Sequence, residues 1–580
     1  MNSRFTYLLL FLCLSAAATA QETVIIDDDS LLPEEDYTWE SENTYILDGL
    51  VYLESGATLT IEPGTVVKAY DATDITTGDN ASALIVARGA QIFANGTAEE
   101  PIIFTSADDD LEDPMDLTNP DGSIRKGLWG GVIILGAAPI TFSAETNGIE
   151  GIAANETRAN YGGTNPEDNS GVLTYVSIRH GGFALDGDNE INGLTLGGVG
   201  SGTTIDYIEV FANLDDGIEW FGGTVRVDHA AVSYCSDDGM DYDTGWRGGG
   251  QYWFVLQAPN EVLGTGRAGE HDGAIPDGQS PFAQPTIYNA TYIGIGNGET
   301  TDAGENSEDD PPVAILLRDN AGGYYYNSIF TDFNGAAVAI EQRSDETPDS
   351  YDRLIAGDLA FRNNIFYNFE SGTEATDLFL AVTEDMEVIE GEATEAVAAQ
   401  FLADGNQIIN PNLNSEDEER DENGGNIDPR PSPFGFAATG APAAIAGYDT
   451  VAYYGAFAPG NGMDSMSWLT GWTALDEMMI VISDFTNGVG QVVENGFLLD
   501  APVPNPASQL TRINFELPSS ARVSLTVMDI YGRPVSHVVK DFAPGPQFED
   551  IDVSRLASGT YFVILDVPGS RLVQRMAVTR

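Results

Sequence analysis

The stretch Thr204–Val210, TIDYIEV, is followed 22 positions later by Arg226–Val232, RVDHAAV. The same offset aligns residues 213–220, NLDDGIEW, with residues 235–242, CSDDGMDY. Each copy joins a short run of alternating apolar residues to an Asp-Asp-Gly turn signal. A unit this short cannot bury its own apolar side, so it must stack against further copies of itself. The repeat therefore predicts a solenoid.

Fainter copies extend the repeat on both sides, at residues 174–178, 287–292, 326–330 and 363–367. Short strands joined by Gly, Asn and Asp turns roughly every 20–30 residues are typical of the coils of a parallel β-helix. Such coils stack about 4.8 Å apart, whereas a propeller blade needs a repeat nearer about 40 residues. The inward positions Ile208, Val210, Ala230 and Val232 should then form rows inside the solenoid.

This pattern resembles the pectin-lyase-like superfamily of right-handed parallel β-helices, most clearly over residues 170–245 and more loosely over 40–460. The resemblance implies the right-handed coil. The predicted fold class is all-β, with a parallel β-helix domain, caps and acidic loops over residues 21–485. Residues 385–405 have the apolar spacing of a short amphipathic helix packed on the solenoid. Residues 467–472 are a candidate for its C-terminal cap, since an open solenoid end exposes strand edges.

The composition is strongly acidic: 24 Lys and Arg residues against 91 Asp and Glu residues give a net charge of −67 over 580 residues. A surface this negative repels phosphate backbones, so nucleic acid is excluded as a partner. Hydrophobic residues make up 42% of the chain. That is enough for a large core, which excludes a disordered protein. The acidity fits either a soluble extracellular protein or adaptation to saline water.

Residues 1–20 have the pattern of a cleaved signal peptide. Arg4 provides the positive start, residues 7–14 the apolar core, and residues 18–20 a small-residue cleavage site. The apolar core is well below the ~20 residues that cross a bilayer, so no transmembrane span is predicted. Removal of this segment leaves Cys235 as the one cysteine of the mature chain, which excludes an internal disulfide.

The C-terminal residues 499–580 predict a separate small β-sandwich of about seven strands, joined to the solenoid by a linker at 486–498. Runs at residues 512–517, 522–530 and 559–567 alternate apolar and polar side chains between Gly and Pro turns.

Three motifs occur in order in this domain: PVPNP at 502–506, VSLTVMDIYGR at 523–533 and LASGTY at 556–561. Together they resemble the C-terminal sorting domain of the bacterial type IX secretion system. The resemblance implies that the type IX machinery is a partner and carries the chain across the outer membrane. It also implies removal of the domain, followed by attachment to the cell surface or release.

The repeat spacing also predicts a ladder of carboxylates. Stacked coils would pair Asp215 with Asp237, Asp216 with Asp238, and Glu219 with Asp241. Like charges this close cannot all stay ionised unless a cation lies between them or some of them hold protons. Oxygen-only ligands suit calcium. The predicted calcium ligands are Asp216, Asp238, Asp241 and Asp243.

Catalysis is an alternative interpretation of the same acids, because paired carboxylates also suit glycoside hydrolysis. The Asp-Asp pairs are similar to those of polygalacturonases, but the Gly-His-Gly element of that family is absent and residues 245–248, GWRG, occupy its place. Calcium-dependent lyases of this fold use a basic residue near acidic ligands. The candidate catalytic residues are Asp215, Asp216, Asp237, Asp238 and Arg247. A third interpretation is that the Asp-Gly pairs simply form turns.

Three aromatic residues beside the ladder, Trp220, Tyr242 and Trp246, are candidates for binding sugar rings if they are exposed, and for packing if they are buried. The leading hypothesis is a secreted or surface-attached protein that binds carbohydrate or acts as an adhesin. The alternatives are a polysaccharide lyase or glycoside hydrolase acting at the ladder, and a passive surface-layer component.

Overall fold

The structure is a computed structural model. It describes residues 22–111, 116–119, 123–141, 147–186, 189–258, 266–296, 312–345, 347–414, 427–433, 435–460, 467–481, 492–494, 497–499, 502, 507, 509–529, 533–556, 559–567 and 570–578. The predicted signal peptide at 1–20 lies outside the described residues.

The main body consists of short strands. The first sixteen are β1 Glu22–Ile26, β2 Asp36–Trp39, β3 Asn43–Leu47, β4 Leu50–Leu53, β5 Thr58–Ile61, β6 Val66–Ala69, β7 Ala83–Val86, β8 Gln91–Asn95, β9 Ile102–Ser106, β10 Val132–Leu135, β11 Asn147–Gly148, β12 Asn160–Tyr161, β13 Gly171–Arg179, β14 Phe183–Asp186, β15 Asn189–Ile191 and β16 Leu194–Gly197. The remaining strands of this body are β17 Thr204–Phe211, β18 Ile218–Phe221, β19 Arg226–Ser233, β20 Met240–Asp243, β21 Gly249–Gln251, β22 Phe254–Leu256, β23 Gly269–Asp272, β24 Thr286–Tyr288, β25 Thr291–Ile293, β26 Val313–Arg318, β27 Gly323–Tyr326, β28 Ile329–Phe333, β29 Ala336–Glu341, β30 Leu359–Arg362, β31 Ile365–Phe369, β32 Phe379–Val382 and β33 Gln407–Ile408.

Helices are few and short in the described chain. They are α1 Ser350–Ala356, α2 Ala375–Leu378, α3 Glu392–Ala403 and α4 Ala474–Glu477, with 3-10 turns at Thr157–Ala159 and Phe436–Ala438.

The strands form a right-handed parallel β-helix, as predicted. One face is a ten-stranded sheet in the order β4-β7-β10-β16-β18-β20-β23-β26-β29-β32, and its ladder pairs are parallel. The long strands β13, β17 and β19 belong to two further faces, because β19 pairs with β21 along its first half and with β22 along its second. The β17–β19 and β18–β20 pairs have the register that the sequence repeat predicts.

A single left-handed residue bends each long strand from one face to the next. Tyr207 has φ of 55° and His229, its neighbour in the next coil, has φ of 45°. The same bend is made by Asn289, Asn327 and Asn363 in later coils, with φ between 53° and 57°. Asparagine tolerates this conformation better than most residues, so these repeated asparagines have a backbone role.

The solenoid interior is apolar and follows the predicted rows. Ile208 packs over Ala230 and Val210 over Val232, and all four side chains are at most 1% exposed. The predicted helix is confirmed as α3, which buries Val397, Ala398 and Phe401. Its phenylalanine stacks on Phe361 and Phe379, with ring centroids 5.1 and 4.4 Å away. This helix covers the apolar end of the last coils.

The described residues 427–433, 435–460 and 467–481, here called the return segment, run back along the outside of the solenoid. The side chain of Asn327 donates to Pro442 O at 2.9 Å, and that of Gln251 donates to Asp449 O at 2.8 Å. Farther along, the ring of Trp472 packs edge-on against Tyr207. The prediction that residues 467–472 cap the C-terminal end is therefore wrong, because aromatic packing holds them on the side of the middle coils.

The C-terminal domain has two four-stranded antiparallel sheets, β34-β35-β36-β39 and β38-β37-β40-β41, around one apolar core. The strands are β34 Val492–Glu494, β35 Phe497–Leu499, β36 Leu510–Leu517, β37 Ala521–Asp529, β38 Pro534–Phe542, β39 Gly545–Asp552, β40 Gly559–Val567 and β41 Ser570–Val578. The predicted linker at 486–498 is wrong at its end, since β34 and β35 pair with each other and β35 pairs with β36. Asn495-Gly496 between them is a strong hairpin signal that the linker prediction overlooked.

Candidate functional site

The Asp-Asp-Gly turns lie where the chain enters the ten-stranded sheet. Asp216 Oδ1 accepts a hydrogen bond from the backbone N–H of Asp238, one coil further on, at 2.8 Å. A Cβ on Gly217 would come within 2.6 Å of Gly239 O, and one on Gly239 within 2.9 Å of Ala268 O. Close approach of successive coils therefore requires glycine at both turns, and each aspartate ties its coil to the next.

The predicted stacking of the acids is confirmed where successive coils keep the same length. Glu219 pairs with Asp241 in the sheet, and the next coil continues these columns with Glu270 and Asp272. Three groups of carboxylates have oxygen atoms within 4.8 Å of one another: Glu190 with Asp215 and Asp237, Asp216 with Asp237 and Asp238, and Asp216 with Glu219 and Asp241. We call these residues, together with Asp243, Glu270 and Asp272, the acidic row.

Burial raises the pKa of most carboxyl groups in the acidic row, and neighbouring carboxylates raise it further. The effect is large for Asp216, where Asp241 and Asp215 add repulsion, and for Asp238 beside Asp237. Burial, together with repulsion from neighbouring carboxylates, raises the pKa of Asp243 and Asp272 to about 7. The carboxyl groups of the folded row therefore hold protons more readily than free aspartates do.

Two arginines neutralise one end of the row. Arg267 Nη1 lies 2.7 Å from Glu270, and Arg318 forms ion pairs with Glu270 at 2.7 Å and Asp272 at 2.9 Å. Although burial opposes ionisation, these guanidinium groups hold the pKa of Glu270 below its usual value. The backbone N–H of Arg267 also donates to Asp238. At the other end, the side chains of Asp215 and Glu190 are hydrogen-bonded to each other.

Arg247, the basic member of the candidate catalytic residues, does not join the acidic row. Its Nε donates to Phe282 O at 3.0 Å and its Nη1 to Gln284 Oε1 at 3.4 Å. The charged groups that affect it are Asp358 and Arg353, not the stacked aspartates. The structure therefore does not bring Arg247 together with the other candidate catalytic residues, because the chain turns away from the ten-stranded sheet after β20.

Sequence reasoning missed five residues of this neighbourhood: Glu190, Arg267, Glu270, Asp272 and Arg318. Tyr242 pairs with His271 in the next coil, which shows that the coil joining β20 to β23 is longer than the one before it. The repeat offset in the sequence therefore does not align these two coils. The triplet Asp241-Tyr242-Asp243 recurs as Glu270-His271-Asp272, with an aromatic or imidazole ring between two acids. That pattern is the signal that identifies the third coil.

The predicted sugar-binding aromatics lie inside the solenoid. Trp220 and Trp246 are 0% exposed, Tyr242 is 1% exposed, and the two indole rings stack with centroids 4.6 Å apart. Alternation along β18 and β20 turns Trp220 and Tyr242 inward while Glu219 and Asp241 face outward, and Trp246 lies in the segment between β20 and β21. The three rings therefore serve in packing, and none of them is accessible to a sugar ring.

Two family models match the chain. A pectate-lyase-like beta helix domain matches residues 32–406, and a secretion system C-terminal sorting domain matches residues 503–579. No curated protein matches the sequence. Within the described part of the chain, no helix combines the length and hydrophobicity needed to cross a membrane.

Proposed function

Because the chain belongs to the pectate-lyase-like β-helix family and its type IX sorting domain directs it to the cell surface or beyond, we propose that it binds polysaccharide there through divalent cations held by the acidic row. Calcium is the proposed ion. The observation that supports this function is the overlap of three carboxylate groups along successive coils.

The spacing of the acids fits calcium. Calcium binds oxygen ligands at about 2.3–2.6 Å, so two ligands of one ion lie up to roughly 5 Å apart. The three groups meet this limit at 4.8 Å, and Asp216 belongs to two of them. Asp216, Asp237 and Asp238 would hold one ion, and Glu219 with Asp241 would complete a second. Calcium takes roughly six to eight ligands, which leaves positions for sugar oxygens.

Hydrolysis and elimination have less support from the geometry. Inverting glycosidases hold their two carboxyl groups far enough apart to admit a water molecule, and this row is denser, so its spacing resembles only the closer carboxyl pair of a retaining enzyme. A lyase needs a base, but Arg318 is paired with two acids and, although burial opposes it, these acids raise its pKa. Arg267 is similarly engaged with Glu270 and only 5% exposed. Neither guanidinium is suited to remove a proton.

Binding of polysaccharides to the full chain, with calcium and with a chelator, tests the proposal. We expect calcium-dependent binding that the double substitution Asp237→Asn and Asp238→Asn abolishes while the fold is retained. Asp385→Asn, an exposed acid on another part of the solenoid, is the matched control and should bind like the parent. Sugar release that depends on Asp237 and Asp238 would instead support the enzyme alternative. Binding that ignores the chelator, or no ligand at all as a passive surface layer predicts, would contradict the proposal.

A further inference from the structure

The two ends of the solenoid differ in how they are covered. At the C-terminal end, α3 lies over the last coils and buries Val397, Ala398 and Phe401. At the N-terminal end, β1 pairs only with β3 and β2 pairs only with β5 within the described chain. The outer edges of β1 and β2 therefore carry rows of backbone N–H and C=O groups that no described strand pairs with.

The first coil also leaves apolar side chains partly uncovered. Val24 and Tyr37 pack against the interior core, yet both are only partly buried, because no coil precedes them in the described chain. Nearby, Ile25 is 53% exposed and Leu32 is 51% exposed. Unpaired strand edges beside exposed apolar side chains are the features of an interaction surface. We call β1, β2 and Leu32 the open end.

The sequence of β1 favours pairing with another strand. Four of its five residues are β-branched, and none of them is Gly or Pro. Side chains that branch at Cβ favour the extended conformation and pack well across paired strands. An edge strand of this composition pairs with other strands unless the protein protects it. β1 is therefore the part of the open end that is best suited to pairing.

The contrast between the two ends indicates which partner fits. Stacking of many copies from head to tail would need an uncovered end on both sides of each solenoid, and α3 covers one of them. A contact between two first coils instead closes on itself and forms a two-fold dimer. The two-fold axis then passes through β1, so the two copies of this strand run antiparallel.

We propose that the open end is the interface of a dimer of this chain, in which two β1 strands pair and join two solenoids end to end. This inference goes beyond the proposed function and does not depend on it. A register centred on Val24 places Thr23 opposite Ile25 of the second copy and Glu22 opposite Ile26 of the second copy. No carboxylate then faces another carboxylate within the paired strands, so the edge is complementary to itself.

The charge around β1 sets the conditions under which the dimer forms. Residues 22–42 contain nine acidic residues and no Lys, Arg or His. Charged residues beside an edge strand protect it, because two such edges repel each other. The Debye length falls from about 10 Å at an ionic strength of about 0.1 M to about 3 Å at about 1 M, so salt weakens this repulsion. We therefore expect monomers at low ionic strength and dimers at high ionic strength.

Analytical ultracentrifugation of the full chain in EDTA, at ionic strengths from about 0.05 M to about 1 M, tests the proposal without divalent cations at the acidic row. We expect the mass to double as the salt concentration rises. Ile25→Lys should weaken the association about tenfold or more, because it places a charge on the exposed edge. The matched control is Ile355→Lys, since Ile355 on α1 is 63% exposed, and this variant should associate like the parent.

Hydrogen exchange locates the contact. The backbone amides of Glu22–Ile26 should exchange more slowly in the dimer than in the monomer, and unchanged exchange at these amides would overturn the inference. It would also be overturned by a chain that stays monomeric at high salt, by a dimer that Ile25→Lys leaves intact, or by assemblies larger than a dimer. Asp237→Asn/Asp238→Asn should dimerise like the parent, so that failure of the dimer and failure of the acidic row are separate results.

Discussion

The carboxylate of Glu209 and the carboxylates of the acidic row face outward from the same solenoid, but their neighbours differ in kind. Glu209, on β17, is 0% exposed and accepts hydrogen bonds from Ser177 Oγ at 2.5 Å and Ala474 N at 2.8 Å. The acids of the acidic row, one face away, lie mainly against other carboxylates. The return segment covers the first site with N–H donors, whereas the described chain brings no comparable donor segment to the row.

The pKa values reflect this difference. Burial raises the pKa of Glu209, but Arg179 and the hydrogen-bond donors around it limit the rise. Burial also raises the pKa of Asp216, and there the neighbours Asp241 and Asp215 add to the rise. Hydrogen-bond donors and a guanidinium group offset the burial of Glu209, whereas neighbouring carboxylates add to the effect of burial on Asp216, which raises its affinity for protons.

The largest expected effect is the loss of stability when the buried, hydrogen-bonded carboxylate of Glu209 is removed. Glu209→Ala would leave the N–H groups of Ala474 and Leu475 without their acceptor and Arg179 without its buried counter-charge. Removing one partner of a buried charged network costs about 3–5 kcal/mol. We expect a lower melting temperature and faster proteolysis within the return segment.

The control for this experiment is Glu209→Gln, which retains one acceptor oxygen. It should lie between the parent and Glu209→Ala in stability. Calcium should shift the melting temperature of the parent and of both variants by the same amount, because Glu209 lies outside the acidic row. A change in that calcium response would show that the two sites are not independent.

Sequence reasoning reached the acidic row through its repeat and could not reach Glu209. The repeat offset aligns Asp216 with Asp238, because consecutive coils of equal length keep their register. Glu270 was missed because the following coil is longer and shifts the offset. The contact between Glu209 and Ala474 joins positions 265 apart, and no periodicity connects them. Arg247 was expected beside the acidic row because it is close to the row in sequence. Closeness in sequence does not reveal that the chain turns onto another face.

The second expected effect is a pH dependence specific to the acidic row. Asp243 and Asp272 have a folded pKa of about 7 against a usual value of 3.8, so the folded state binds more protons between these values. Their contribution to stability is therefore present at low pH and is lost as the pH rises from about 4 to 7. We expect the melting temperature in EDTA to fall over this window.

Calcium should reverse this trend, because it replaces the lost protons with a bound cation. The parent should therefore melt at nearly the same temperature at mildly acidic and at neutral pH when calcium is present. A melting temperature in EDTA that rises steadily with pH would contradict the assignment, since it would mean that the acids are stabilised in their ionised form.

The smallest expected effect is a change in stability on substitution of Asp241, and its sign differs with and without calcium. Among the described residues, the buried Oδ1 of Asp241 has no hydrogen-bond partner, and repulsion from Glu219 and Glu270 adds to the effect of burial on the pKa of Asp241. Asp241→Asn removes that repulsion and adds an N–H donor, so it should stabilise the chain in EDTA by about 0.5–1 kcal/mol. In calcium it should instead destabilise, because a ligand is lost. Asp385→Asn should change neither value by a measurable amount. If Asp241→Asn changes the stability in the same direction in EDTA and in calcium, the row is a packed acid cluster and not a cation site. The contrast between the row and Glu209 then disappears.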